Sequence, residues 1–348
     1  MRLSQIACAR PINVLPCDHI VRQTILEGDL VRTEARLAIL ALAITALTPA
    51  LADEYPAKIV NLIVPAAPGG AVDANARVVG DALQKLWGQP VVVQYKPGAN
   101  TLIGTTFVAK APADGYTLLM TSAAFTVLPN LVARMPYEES ELIPITLVSQ
   151  TPAAVFVSPS LPVKNVAELV RYGQEHPGSL SFGAPDATGA FVGYLFNQLA
   201  GTNMPYVAYK GFGPMATDLM GGHLPVGISG ASTIRPLALT GKVKVLGTAS
   251  ARPFAALPDA PALAKDKFRS FEASVWFGLF APRGTPPAIV AKIHADLTKV
   301  LSDPAVRRRL TDTGAEIGDI SQADFAGLVR SEFTKWKAIA ATAGVKPE

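Results

Sequence analysis

Two short stretches of the chain carry the residue types from which an anion site is built. Val64-Pro-Ala-Ala-Pro-Gly-Gly-Ala-Val-Asp73 leaves an apolar run and enters a helical pattern. Glycine lets a backbone approach a ligand closely. The unpaired N–H groups of a helix start, reinforced by the positive end of the helix dipole, suit a carboxylate or phosphate. The same spacing also describes an ordinary strand-to-helix turn in which Asp73 caps the helix, and both readings stay open at this point. Phe182-Gly-Ala-Pro-Asp-Ala-Thr-Gly189 repeats the design: an apolar run from about Ser179, a small-residue loop, then a helix running to Ala200. Facing each other across a cleft, two such loops would grip one anion by its two ends. Neither is a nucleotide fingerprint, because Gly-x-Gly-x-x-Gly and Gly-x-x-x-x-Gly-Lys are both missing.

Catalytic constellations are scarce. Gly227-Ile-Ser-Gly-Ala231 approaches a nucleophile elbow around Ser229 but lacks the final glycine. His176, His223 and His294 each stand apart from a second metal-ligand candidate at helical spacing, so structural roles are expected for them and no metal or cofactor is. Trp276 and Phe277 read as packing at a boundary between lobes.

The elements that must position the loops alternate along the chain. Ile59–Val64, Pro90–Tyr95, Tyr116–Met120, Ala153–Val157 and Val243–Gly247 read as buried strands, and the helical patterns between them imply parallel sheets covered on both faces. Val72, Ala76, Val79, Leu83 and Leu86 form one stripe at helical spacing. Asn165 with Glu168 and Ser321 with Asp324 look like helix starts, and Thr285-Pro286-Pro287 and Asp303-Pro304 each put a capping side chain ahead of a first-turn proline. Leu142 to Val163 is uncharged but holds four prolines, which makes it strands and turns instead of a membrane span. Boundaries are expected near Ser149 to Pro152 and at Trp276-Phe277-Gly278. Two crossings give one lobe both chain ends (53–151 and 277–348), a second inserted lobe (152–276), and a two-strand hinge.

At 348 residues, 49% hydrophobic and 17% charged, the chain is large enough for two domains with sizeable cores. The net charge of +4 is dispersed, with Arg307, Arg308 and Arg309 as the longest run, read as a solvated helix face and not as a nucleic-acid footprint. Arg32 and Arg36 precede the apolar stretch Leu37–Leu47 and the small-residue site Pro49-Ala-Leu-Ala52, the layout of a secretion signal cleaved after Ala52. The uncharged stretch is shorter than the ~20 residues a spanning helix needs. Residues 1–30 fit no signal pattern, and a start at Val31 is the expectation, with 31–52 as the signal peptide. Both cysteines, Cys8 and Cys17, fall in this region, so the mature chain is expected to hold no disulfide or thiolate.

A longer series of motifs resembles one family. Tyr55-Pro56-x-Lys58, Pro68-Gly-Gly-x-x-Asp73, Leu86-Trp-Gly-Gln-Pro-Val-Val-Val93, Lys96-Pro-Gly-Ala99 with Ile103-Gly104, and Ala109-Lys-Ala-Pro-Ala-Asp-Gly-Tyr-Thr-Leu-Leu119 open the series. Leu161-Pro-Val-Lys164, Tyr209-Lys-Gly211, Asp218-Leu-x-Gly-Gly222, Leu257-Pro-Asp-Ala-Pro261 and Trp276-x-Gly-Leu-x-Ala-Pro282 continue it in order. The chain is similar to receptors of tripartite tricarboxylate transporters, the Bordetella uptake gene or Bug family. The resemblance implies a type II periplasmic-binding-protein fold and no catalysis. It also implies a small carboxylate ligand, enclosed between lobes and delivered by a monomeric periplasmic receptor to a membrane permease, with no nucleic acid involved. A sensor for a signalling partner and, further off, an enzyme on the same fold are the alternatives. Carried over by residue, ligand contacts fall on Ala66, Ala67, Pro68, Gly69, Gly70 and Asp73 in the first loop and on Ser122 and Ala123 after the third strand. In the second lobe they fall on Ala184, Pro185, Asp186, Ala187, Thr188 and Gly189, with Tyr209 and Ser229. The chain departs from the family pattern at Ala66, where an aromatic is common, and at Pro185, Asp186 and Phe191, where a Gly/Ser-rich loop and a histidine are usual. At Ser229 an acid is common. Asp186 carries two readings, as a helix cap or as a carboxylate that favours aminated ligands over plain dicarboxylates.

Overall fold

The computed structural model describes residues 55–347, so the expected signal segment, both cysteines and the cleavage position lie outside the described residues. Apolar runs become strands where expected: β1 (Val60–Val64), β2 (Val91–Tyr95) and β3 (Thr117–Ser122). β1 pairs in parallel with both β2 and β3. Helix α1 (Ala71–Trp87) connects β1 to β2 and turns its Val72, Ala76, Val79 and Leu83 stripe inward. Gly88 in the left-handed region ends it. Helix α2 (Leu102–Ala109) and the single-turn α3 (Ala124–Val127) flank β3.

The polar and proline residues at 149–152 do not interrupt the next strand. β4 (Leu142–Val157) runs through them, because each finds a ladder partner on β9 (Ser274–Pro282): Ser149 opposite Phe277, Gln150 opposite Trp276, Thr151 opposite Val275 and Pro152 opposite Ser274. The two expected boundaries are therefore neighbours in one antiparallel ribbon. Beyond Pro152 the same strand pairs with β7 (Val226–Gly230) and β8 (Lys244–Thr248). Helices α4 (Val166–Glu175), α5 (Ala187–Ala200), α6 (Phe212–Met220) and α7 (Ala231–Leu239), with strands β5 (Phe182–Ala184) and β6 (Tyr206–Ala208), complete this part. After β9 the chain adds α8 (Pro287–Ser302), α9 (Pro304–Thr311), β10 (Glu316–Ile317) and α10 (Gln322–Ala343).

The result is a mixed α/β fold of two lobes joined through β4 and β9. Instead of two separate sheets it has one continuous path, β2-β1-β3-β9-β4-β7-β5-β6, with β8 and β10 also pairing β4. Only the outer pairs are parallel; every pairing of β4 and β9 is antiparallel. The first lobe packs Leu62, Val79, Ile293 and Leu297 on one face of its sheet and Phe125, Trp276, Phe280 and Phe325 on the other. Phe156, Leu219 and Phe254 form one core of the second lobe, and Val155, Phe182, Phe196 and Phe271 another. Helix α10 serves both lobes: Phe325 and Val329 lie in a first-lobe core, whereas Trp336, Ile339 and Ala340 lie in a second-lobe core.

The expected caps divide. Asn165 accepts from the Glu168 amide at 2.9 Å, although Glu168 reaches back to the Lys164 amide in place of that of Asn165. Ser321 and Asp303 cap α10 and α9. Thr285 does not cap α8: its hydroxyl donates to the Pro282 carbonyl, and Pro286 stands at the cap position.

Candidate functional site

The first loop is held from below. The Asp73 carboxylate, buried under its own turn, accepts from the Gly69 amide at 2.7 Å through Oδ2. Its Oδ1 accepts from Arg77 Nε at 2.8 Å and from the Tyr95 hydroxyl at 2.7 Å. Burial alone would raise this carboxyl, but the Gly69 amide, the Tyr95 hydroxyl and the Arg77 guanidinium outweigh it and hold it below the usual carboxylate range. Gly69 adopts φ +89°, which only glycine takes without strain. From behind, α2 presses Gly104 so close that a Cβ there would lie 2.7 Å from Pro65 Cβ and 2.8 Å from the Lys96 carbonyl. The loop is thus fixed at its base while Ala67, Pro68, Gly69 and Gly70 are exposed and Ala66 is half-buried.

No side chain caps α1 at Gly70, and the first backbone bond into the helix is Ala74 N–H to the Gly70 carbonyl. The amides of the first turn are therefore available to a ligand. Asp73, expected among the ligand contacts, is committed to three internal bonds and acts on the loop.

The second loop is less open than the sequence implies. Ala184, Thr188 and Gly189 are buried, Pro185 and Ala187 half-buried, and Asp186 exposed. Gly189 sits where a Cβ would come within 2.8 Å of Ala184 Cβ and 3.0 Å of the Ile228 carbonyl. Asp186 caps α5, accepting from the Gly189 amide at 2.9 Å. Its environment has two sides: the residue keeps accessible surface, yet protein surrounds the carboxyl closely enough for desolvation to push it up, against the pull of the Gly189 and Thr188 amides. The accessible surface decides what a ligand can touch.

Ser122 is half-buried and Ala123 fully buried, its amide bonded to the Trp276 carbonyl on β9. Tyr209 spends its hydroxyl on Asp218 at 2.8 Å and lays its ring against Gly183; burial and the Asp218 carboxylate push it up to about 12. Ser229 is buried on β7 opposite Ala154. Among the described residues no histidine ring hydrogen-bonds a serine: His294 Nδ1 meets Thr146 Oγ1 at 2.8 Å and the Ile145 carbonyl, and the His176 ring stacks on Tyr172 and meets the Tyr172 carbonyl. No group of three or more potential metal ligands occurs among the described residues.

One buried polar tie went unread in the sequence. At the hinge, buried Glu332 on α10 accepts from Trp276 Nε1 of β9 at 2.7 Å and from Thr126 Oγ1 of α3 at 3.1 Å. Its signal is a lone acid on the apolar stripe Phe325, Val329, Trp336. Ser149 Oγ donates to Asn75 of α1, and Thr151 Oγ1 accepts from the Ser232 amide of α7.

The model of the tripartite tricarboxylate transporter family receptor matches residues 75–345. The chain belongs to that family. BugT of Bordetella pertussis is 33% identical over 304 residues, spanning 86% of this chain and 93% of its own. The solved periplasmic binding protein BugD superposes with a TM-score of 0.71 at 30% identity, covering 84% of this chain and all of its own (100%). Rpa4515 of R. palustris, solved with adipate, gives 0.74 at 32% identity with the same coverage. The fold is that of the periplasmic binding proteins and the chain is a solute-binding receptor. No helix among the described residues is long and apolar enough to cross a membrane.

Proposed function

We propose that this receptor captures a small carboxylated metabolite between the loops at 66–73 and 184–189, closes by bending at β4 and β9, and passes the ligand unchanged to a membrane permease. In this reading residues 53–151 and 277–348 form one lobe and 152–276 the other, and the exported monomer begins at Asp53. The observation that carries it is the first loop: uncapped amides at the start of a 17-residue helix, presented on an exposed glycine pair that Asp73 fixes from beneath. Rpa4515 binds adipate, a dicarboxylate, on the same fold. An enzymatic reading would lean on Ser229, which is buried and has no histidine bonded to it.

The test is titration calorimetry of the periplasmic protein with a panel of mono- and dicarboxylates and amino acids, with mass spectrometry of the ligand before and after. A family member should bind at least one carboxylate and return it with its mass unchanged. Turnover of the ligand, or indifference to every carboxylate on the panel, would refute the reading. Intact mass of the exported species should correspond to a chain starting at Asp53.

A further inference from the structure

A cavity of about 960 Å³ opens beside the hinge and contains none of the loop residues described above. Gln150 and Pro152 of β4 and Ala273 and Ser274 at the start of β9 line its floor. One wall belongs to the second lobe, with Arg235 of α7 and Arg252; the other belongs to the first, with Arg307 of α9. Strand order fixes its side. β3 pairs with β9, whereas β10, whose Glu316 and Ile317 also line the cavity, pairs with the opposite edge of β4 at Gln150 and Ser149. The groove therefore lies on the far edge of the hinge ribbon from β1 and β3.

Its charges are unevenly used. Lys335 and Glu332 face each other at 3.5 Å and largely cancel, with Glu332 also held by Trp276 and Thr126. Arg235 gives only Nε, to the Ala256 carbonyl, and Arg307 only one terminal nitrogen, to the Leu301 carbonyl. Among the described residues, none of the guanidinium groups of Arg235, Arg252 and Arg307 is paired with a carboxylate, while the acids remaining on the walls are Glu272 and Glu316. Guanidinium donors in a recess of small-molecule size suit a ligand that presents several anionic oxygens.

We propose that this groove is a second binding site, for a small polyanion carrying carboxylate or phosphate groups, gripped by Arg235 and Arg252 from one lobe and Arg307 from the other. A ligand bridging both walls holds the far side of the hinge at one width and so opposes a rotation that draws the lobes together on the β3 side. This coupling rests on the cleft reading above; the binding does not.

The experiment titrates the exported protein with inorganic pyrophosphate and, separately, with tricarballylate, the two arms distinguishing phosphate from carboxylate recognition. Each of Arg252→Gln, Arg307→Gln and Arg235→Gln should weaken saturable binding about tenfold, the loss of one charge-assisted contact. Arg308→Gln, an exposed neighbour on α9 outside the groove, and Gly70→Val, in the first loop, should leave this arginine-dependent binding unchanged, whereas binding that Gly70→Val removes and the arginine variants keep belongs to the first loop. Failure of both polyanions to show arginine-dependent binding, equal weakening by Arg308→Gln, or loss of that arginine-dependent binding in Gly70→Val would overturn the proposal. A cleft reading that failed would show instead as carboxylate-panel binding that ignores Gly70→Val while the arginine variants still lose the polyanion.

Discussion

Replacing Asp73 by Asn keeps the shape of the side chain and removes its charge, which tests whether the first loop is set by that carboxylate. In the native protein three donors converge on two oxygens: the Gly69 amide on one, Arg77 Nε and the Tyr95 hydroxyl on the other. An amide has a single acceptor oxygen. If it serves Gly69, its NH₂ group faces the Arg77 guanidinium; if it serves Arg77 and Tyr95, the NH₂ group faces the Gly69 N–H. At least one donor is displaced in either arrangement. A hydrogen bond to a charged group is worth ~1.5–3 kcal/mol, and solvent screening at the exposed Arg77 side chain reduces it, giving a loss of about 1–2 kcal/mol. The pH dependence has a definite sign. Asp73 is held below its ordinary value in the native state, so its contribution is present above the unfolded-state value and disappears as pH falls through the lower, native one. Urea unfolding across an acid-to-neutral series should show wild type more stable than Asp73→Asn near neutrality and the two converging in acid, while carboxylate binding weakens at neutral pH. A stability gap that stays constant with pH, or unaltered ligand affinity in Asp73→Asn, would mean that the carboxylate does not set the loop.

Gly69→Val should abolish ligand binding while the protein still folds: φ +89° excludes a β-branched residue, yet no atom lies within 4 Å of an added Cβ, and circular dichroism with titration separates the two effects. Asp186→Asn should keep the cap on α5, because Asn caps nearly as well, and should shift the ligand panel toward dicarboxylates relative to zwitterions; an unchanged ranking would remove Asp186 from ligand choice. Glu332→Ala strands the Trp276 indole N–H in the buried hinge, while the Thr126 hydroxyl keeps the Ala123 carbonyl, and should cost about 1–3 kcal/mol in denaturant unfolding, with a loss below 1 kcal/mol arguing that water replaces the carboxylate.

What was legible in the sequence was what repeats locally. The stripe Val72, Ala76, Val79 and Leu83 and the apolar runs Ile59–Val64 and Tyr116–Met120 declare themselves by period, although Leu86, read into the same stripe, is exposed, and the two small-residue loops follow from where those elements end. Partnership across the chain was not legible. Ser149-Gln-Thr-Pro152 looks like a break because polar residues and proline are poor strand formers, but Phe277 to Ser274 supply the ladder and override the local preference. Thr285 has a capping side chain and a proline after it, yet a carbonyl three residues back takes its hydroxyl. Asp73 could be read as a cap from its position; that its carboxylate binds Tyr95 on the adjacent strand depends on how β2 lies beside α1. The second loop shows the same limit, since Gly189 is pressed against the Ile228 carbonyl of another strand.

The hinge itself constrains how a receptor of this kind can move. Two antiparallel strands paired from Leu142 with Pro282 to Pro152 with Ser274 can twist against one another but cannot part without breaking ladder bonds, and register shifts at Pro144 and near Ser149 already loosen the ribbon within the first lobe. A third connection, α10, leaves one core with Phe325 and enters another with Trp336, and Glu332 ties its middle to β9 and α3. In the closure proposed above, the rotation that strains these ties least is one that pivots close to Glu332, so that the Trp276 and Thr126 bonds survive it. Displacement grows with distance from that pivot. The exposed residues of the two loops, Ala67 to Gly70 and Asp186, stand outside the buried cores that hold the hinge, so in the closure proposed above their movement breaks no core packing.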